Sequence, residues 1–213
     1  MMQEYLDRLP LIAILRGVTP DDVVPIGEAL VHAGFSIIEV PLNSPDPYQS
    51  IRRLHHAFGR HTLVGAGTVM SPTEVDRVVD AGGRLIVMPH SDPAVIRAAK
   101  ARTLACCPGV VTPTEGFAAL ADGADALKLF PAELVSPSAV KAMRSVFPAE
   151  TRLFPVGGIA PDNMEAYVRA GANGFGLGSA LYKRGDDADI VAANAAAFVA
   201  AWHRLARSSP SAT

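Results

Sequence analysis

The chain has 213 residues, of which 49% are hydrophobic, 19% charged and 6% aromatic, a balance that suits one soluble domain with a large aliphatic core and no need of a disulfide or structural metal. A formal net charge of −2 and a pI near 6.3, with no basic stripe, exclude a surface built for nucleic acid. No run approaches the roughly 18 uninterrupted apolar residues of a membrane span, and residues 1–8 carry acids instead of an apolar leader, so a cytoplasmic protein is expected.

A short N-terminal helix is expected first. Aliphatic runs then recur at 12–16, 37–41, 63–68, 85–89, 104–107, 126–131, 153–158 and 175–179, each short enough to be a buried strand. Helical segments separate them, with start signals at Thr19-Pro20-Asp21-Asp22, Ser71-Pro72-Thr73-Glu74, Ser91-Asp92-Pro93 and Ala160-Pro161-Asp162-Asn163, each placing a proline or acid in a first turn. Helix ends are marked by Ala33-Gly34, Ala81-Gly82 and Ala170-Gly171, where glycine takes the left-handed conformation. Eight strand–helix units predict an α/β chain folded as a (β/α)8 TIM barrel, a single domain over 1–207, with 208–213 as a small, polar tail. The rival open sheet wants a Gly-x-Gly-x-x-Gly turn after the first strand, and Leu15-Arg16-Gly17-Val18-Thr19 does not supply one. Cys106 and Cys107 are adjacent, so on a strand they face opposite sides and are read as packing residues.

Barrel chemistry sits at the carboxyl ends of the strands. The polar candidates there are Arg16, Glu39, Thr68, Lys128 and the glycine pairs after the seventh and eighth strands. If Lys128 points inward, Ala126 and Phe130 do too, while Leu127 and Leu129 face the helices. Burial among apolar neighbours lowers a lysine's pKa and frees some amine to attack carbonyls; pairing with Glu39 or with a substrate anion is the other reading of Lys128. Glu39, inside an aliphatic strand, is either paired with Arg16 or Lys128 or working as a proton shuttle. Arg16 and Thr68 together suit a small carboxylate. Gly157, Gly158, Gly178 and Ser179 suit phosphate, bound by backbone amides. Of the six histidines, only His90 lies beside a strand end, and it has no second ligand at metal spacing. Charged residues on the helices, such as Arg52, Arg53, Asp76, Arg77, Lys100 and Lys141, are read as solvated faces.

Arg16 in Ile14-Leu15-Arg16-Gly17, Glu39-Val40-Pro41-Leu42, Gly65-Ala66-Gly67-Thr68, Lys128-Leu129-Phe130-Pro131 and the two glycine pairs, in this order, resemble the 2-keto-3-deoxy-6-phosphogluconate/galactonate aldolases over nearly the whole chain. The resemblance implies Lys128 as Schiff-base lysine and Glu39 as proton shuttle. It implies Arg16, Thr68, Pro89 and Phe130 at the keto-acid end, and Gly157, Gly158, Gly178 and Ser179 at phosphate. It also implies cleavage of a phosphorylated keto-deoxy sugar acid to pyruvate and glyceraldehyde 3-phosphate, with no metal or organic cofactor, in a homotrimer. Val156 stands where the gluconate branch typically has threonine, and the run from Glu39 to Pro45 resembles the galactonate branch. The galactonate substrate is therefore expected and the gluconate epimer is the alternative. A sugar-phosphate isomerase or epimerase, or a non-catalytic phosphosugar sensor, would share the phosphate glycines.

Overall fold

A computed structural model describes residues 2–208. The first half comprises α1 (Met2–Leu6), β1 (Leu11–Ile14), α2 (Val23–His32), β2 (Ile37–Pro41), α3 (Pro47–Phe58), β3 (Leu63–Gly67), α4 (Pro72–Asp80) and β4 (Leu85–Val87). It continues with α5 (Pro93–Ala101), β5 (Ala105–Cys107), β6 (Gly109–Val110), α6 (Pro113–Ala121) and β7 (Leu127–Leu129). The last elements are α7 (Pro137–Arg144), β8 (Leu153–Pro155), α8 (Met164–Arg169), β9 (Phe175–Leu177) and α9 (Ala188–Ser208).

All strand pairings are parallel, in one group ordered β5-β4-β3-β2-β1-β9 and another ordered β6-β7-β8. A bridge between Val156 and Gly176 links the end of β8 to β9. Ile12, Ile37, Leu63, Leu85, Ala105 and Phe154, from six different strands, share one buried cluster with Met2, Tyr5 and Leu6 of α1. A flat sheet would hold these residues far apart. The sheet curls instead, so that alternate side chains of each strand converge inside while the others meet the helices. At β7 the alternation is as expected, with Ala126, just before the strand, in the inner cluster and Leu127 and Leu129 in the outer one. Cys107 and Cys106 divide in the same way.

The fifth predicted strand forms as β5, but a further two-residue strand, β6, that the sequence reading did not anticipate follows it. β5 pairs with β4 and β6 pairs with β7, and Pro108 lies between them. Proline has no N–H to give to a ladder, so the chain changes neighbours there; the Pro108 carbonyl still accepts from Lys128 N–H at 2.9 Å. Several predicted strand ends also lie just beyond the observed strands, among them Arg16, Thr68, Pro89 and Gly157-Gly158, where proline, glycine or a positive φ interrupts the ladder.

Helix starts follow two patterns. Ser71 and Thr112 form complete capping boxes with Glu74 and Glu115, and Asp92 caps α5 through its side chain. The signals at 19–22 and 160–163 instead form turns before α2 and α8: Thr19 Oγ1 donates to Asp22 at 2.6 Å, and Ala160 N–H donates to Asn163 Oδ1 at 3.1 Å. Gly34, Gly82 and Gly171 have φ of +103°, +84° and +101°, as the helix-end reading requires. Of the predicted tail, Ser208 ends α9, and 209–213 lie outside the described residues. Among the described residues no helix is long and apolar enough to cross a membrane.

Candidate active site

Parallel strands bring all their carboxyl ends to one rim, and the chemistry-bearing residues gather there. Lys128 is the central residue of β7, in register with Gly109 on one side and Phe154 on the other. The residue is only 4% exposed, and its side-chain nitrogen stands 4.6 Å from the centroid of the Phe130 ring. Burial pulls its pKa below the usual lysine value; the nearby Glu39 carboxylate opposes this and the Arg16 guanidinium adds to it.

Glu39 is the third residue of β2 and is buried. Its Oε2 has no hydrogen-bond partner, and among the described residues it forms no ion pair with Lys128 or Arg16. The structural ion-pair reading of both residues therefore has no contact to support it. Burial pushes the Glu39 carboxyl up to about 7, against the smaller pull of Lys128 and then Arg16. A carboxyl that ionises near neutrality can both take and return a proton.

The space for this carboxylate comes from Gly67, which lies beside β2 through the pairing of β3. A β-carbon on Gly67 would fall directly onto the Glu39 carboxylate. Gly67→Ala is expected to destabilise the protein by about 1–3 kcal/mol through overpacking and to cut turnover by about 100-fold by displacing the carboxylate. Thermal unfolding and a turnover assay check both, and a stable, fully active variant would refute this role for Gly67.

A cavity of about 410 Å³ opens above Lys128. Arg16, Lys128, Phe130 and Val156 line it together with Gly157, Gly158, Gly178 and Ser179. Gly157 and Gly158 have φ of +110° and +61°, a left-handed turn that side chains resist. Gly178 differs, because a β-carbon there would meet no atom within 4 Å. Nothing in the folded chain requires glycine at 178, so the open space is available to a ligand. The amides of Gly158, Ser179 and Ala180 donate to no group among the described residues, the arrangement that anion sites use.

Three predicted residues, Thr68, Pro89 and Glu39, are not among those lining the cavity. Thr68, at φ +57°, and Pro89 stand at the ends of β3 and β4. Glu39 sits deeper than the lining, and its field reaches both Lys128 and Arg16. His90, next to Pro89, buries an Nδ1 without a partner. Sequence reasoning missed Glu133, Tyr182, Lys183 and Arg184, which also line the cavity. The available signal was position: Lys183 and Arg184 follow Gly178-Ser179 by only a few residues and precede the last helix. Glu133 lies against the Gly157–Gly158 turn, where a β-carbon on Gly158 would stand 3.2 Å from its Oε1.

The family model for KDPG and KHG aldolase matches residues 2–195. The chain belongs to the KDPG and KHG aldolase family. The aldolase is 45% identical to 2-dehydro-3-deoxy-6-phosphogalactonate aldolase of Escherichia coli (strain K12) over 199 residues, which is 93% of this chain and 97% of that one. It superposes on the solved native KDPGal structure with a TM-score of 0.93 at 44% identity, covering 94% of this chain and 97% of that one. It also matches KDPG aldolase from Legionella pneumophila, solved with pyruvate captured as a covalent carbinolamine, with a TM-score of 0.78 at 28% identity, covering 96% and 97% of the two chains. The aldolase is thus a carbon–carbon lyase of parallel α/β architecture, like its relatives.

Proposed function

We propose that this aldolase cleaves 2-dehydro-3-deoxy-6-phosphogalactonate to pyruvate and glyceraldehyde 3-phosphate in galactonate breakdown, through an imine on Lys128. The observation that carries the reading is a cavity lined both by a buried amine, Lys128, whose charged form burial disfavours, and by the glycines of an anion cradle with Lys183 and Arg184. In this reading the Lys128 amine adds to the C2 ketone and water leaves, giving an iminium that accepts the electron pair of the C3–C4 bond. Glu39, directly or through a water, takes the C4 hydroxyl proton as that bond breaks, and glyceraldehyde 3-phosphate departs. The remaining enamine is protonated at C3, and water adds at C2 to release pyruvate and the free amine. Arg16 and Thr68 hold the carboxylate, with Pro89 and Phe130 beside the keto acid. The phosphate rests on Gly157, Gly158, Gly178 and Ser179, with charge supplied by Lys183 and Arg184. Binding there fixes C4 against the shuttle.

For the fold, we read the nine strands among the described residues as an eight-unit closed barrel over 1–207, counting β5 and β6 as one strand interrupted by Pro108 and the Val156–Gly176 bridge as the closing seam. The assembly proposed is a homotrimer, which would cover exposed apolar side chains such as Met70, Phe117 and Val146. A cytoplasmic setting suits the two buried, free cysteines.

The galactonate epimer is favoured by the higher identity to the galactonate enzyme and by Val156, which places methyl groups where a threonine would place a hydroxyl. The test is the ratio of kcat/KM on the two epimers. The galactonate epimer should be preferred, and Val156→Thr should move the ratio toward gluconate by about ten-fold, the scale of one pocket hydrogen bond. Preference of the native enzyme for gluconate would reverse the assignment.

A further inference from the structure

Arg16 is solvent-exposed and carries a long, rotamer-rich side chain, which by itself has no reason to stay at the keto-acid end of the cavity. Its restraint comes from the loop after the neighbouring strand. Arg16 Nη1 donates to Asn43 Oδ1 at 2.7 Å. One residue further on in each loop, Gly17 N–H donates to Ser44 Oγ at 2.9 Å, and Ser44 is buried. Ser44 N–H in turn donates to Pro41 O at 2.9 Å, closing a tight turn off β2. Gly17 takes φ +85°, which aims the backbone N–H at Ser44 without a side-chain penalty. The strands below are locked together as well, with Ile14 in register with Glu39 and Leu15 N–H donating to Glu39 O at 3.0 Å.

We propose that Asn43 is a positioning residue that holds the Arg16 guanidinium at the keto-acid end of the cavity while leaving its charge available to the substrate carboxylate. The inference rests on the reading of Arg16 as the carboxylate anchor. An amide oxygen occupies one of the five guanidinium donors and carries no net charge. The remaining donors keep the fork that grips a carboxylate bidentately. A carboxylate at position 43 would hold the arginine equally well but would neutralise it. The contrast lies elsewhere on this chain: Arg53, Arg97 and Arg102 meet Asp21, Asp122 and Asp76 at 2.8, 2.7 and 2.6 Å, whereas no described carboxylate pairs with Arg16. Held in place, Arg16 also acts on the reacting groups, since its charge restrains the upward shift of Glu39 and adds to the downward shift of Lys128. Asn43 therefore couples substrate binding to the ionisation of the shuttle.

The test compares Asn43→Ala, Asn43→Asp, Arg16→Ala and the Asn43→Ala/Arg16→Ala pair. The readouts are half-saturation by pyruvate in borohydride trapping, KM and kcat with the phosphorylated substrate, and the pH profile of kcat/KM. Asn43→Ala should raise both half-saturation values by about ten-fold, the worth of a hydrogen bond to a charged group, with kcat changed less than about two-fold. Its acid limb should move to higher pH, because a released Arg16 no longer restrains Glu39; a general loosening of the loop gives no such directional shift. Asn43→Asp should also bind pyruvate more weakly, because it keeps the arginine in place but neutralises it. In the Arg16→Ala background the Asn43→Ala effect should vanish. A full Asn43→Ala effect without Arg16, or native affinity in Asn43→Asp, overturns the inference while leaving Arg16 as anchor. If Arg16→Ala binds pyruvate as well as the native enzyme, the anchor reading itself fails, and this inference with it. Should Asn43→Ala unfold early, Asn43→Ser, which keeps a polar group too short to reach the guanidinium, gives the same comparison.

Discussion

Lys128→Met should abolish cleavage, with a loss of at least about 10⁴-fold in kcat, the scale seen when a covalent nucleophile is removed. The fold should survive. Methionine matches the lysine stem in length and fills the same slot over Phe130, while removing an amine whose charged form burial disfavours. Thermal unfolding should therefore show a melting temperature equal to or above that of the native chain, measured beside the turnover assay. Retained turnover would mean that another group does the chemistry. Loss of turnover together with loss of fold would instead point to a structural lysine, which the lack of any ion pair to Glu39 already argues against.

Glu39→Gln should separate chemistry from binding. Turnover should fall by about 10²- to 10⁴-fold, the usual contribution of a positioned general acid–base group. Pyruvate should still form a trappable adduct, because the Lys128 amine is intact. In the native enzyme the acid limb of kcat/KM should lie near pH 7, where the Glu39 carboxyl ionises, and this limb should disappear in Glu39→Gln. Stability responds to the same shift. The folded chain holds the Glu39 proton more tightly than the unfolded chain does, since its pKa is raised from 4.5 to about 7. This group's contribution is therefore most favourable below the unfolded value of 4.5. It is lost progressively as pH rises to about 7 and is constant beyond that. The loss is on the order of 3 kcal/mol. Glu39→Gln should remove that slope and be the more stable protein at pH 8, as read from urea midpoints at pH 5 and pH 8. A variant less stable at pH 8 would mean that the carboxylate is favourably paired in the folded state.

Much of the fold could be read because local signals agreed with the global architecture. Ser71 with Glu74 announced a helix start that forms as a capping box, and the parallel alternation of strands and helices put all the strand ends on one rim. That is why residues as distant in sequence as Arg16, Lys128 and Ser179 could be expected around one cavity, and they line it. Pro108 was harder, because splitting a strand between two neighbours depends on which strands flank it. Gly67 sat in a recognisable motif, but its purpose needs the Glu39 carboxylate across the sheet to be visible. Lys183 and Arg184 carried no local signal, since their relation to the glycine cradle depends on how the chain turns after Leu181. The Arg16–Asn43 contact spans 27 residues and follows from the β1–β2 register, not from any local pattern.

Everything in this chemistry depends on the Lys128 amine being the nucleophile. Borohydride reduction in the presence of pyruvate, followed by peptide mapping, tests it most directly. One stable adduct per chain should form on the peptide containing Lys128, and none in Lys128→Met. An adduct on Lys100, Lys141 or Lys183, or no adduct in an enzyme that turns over substrate, would contradict it.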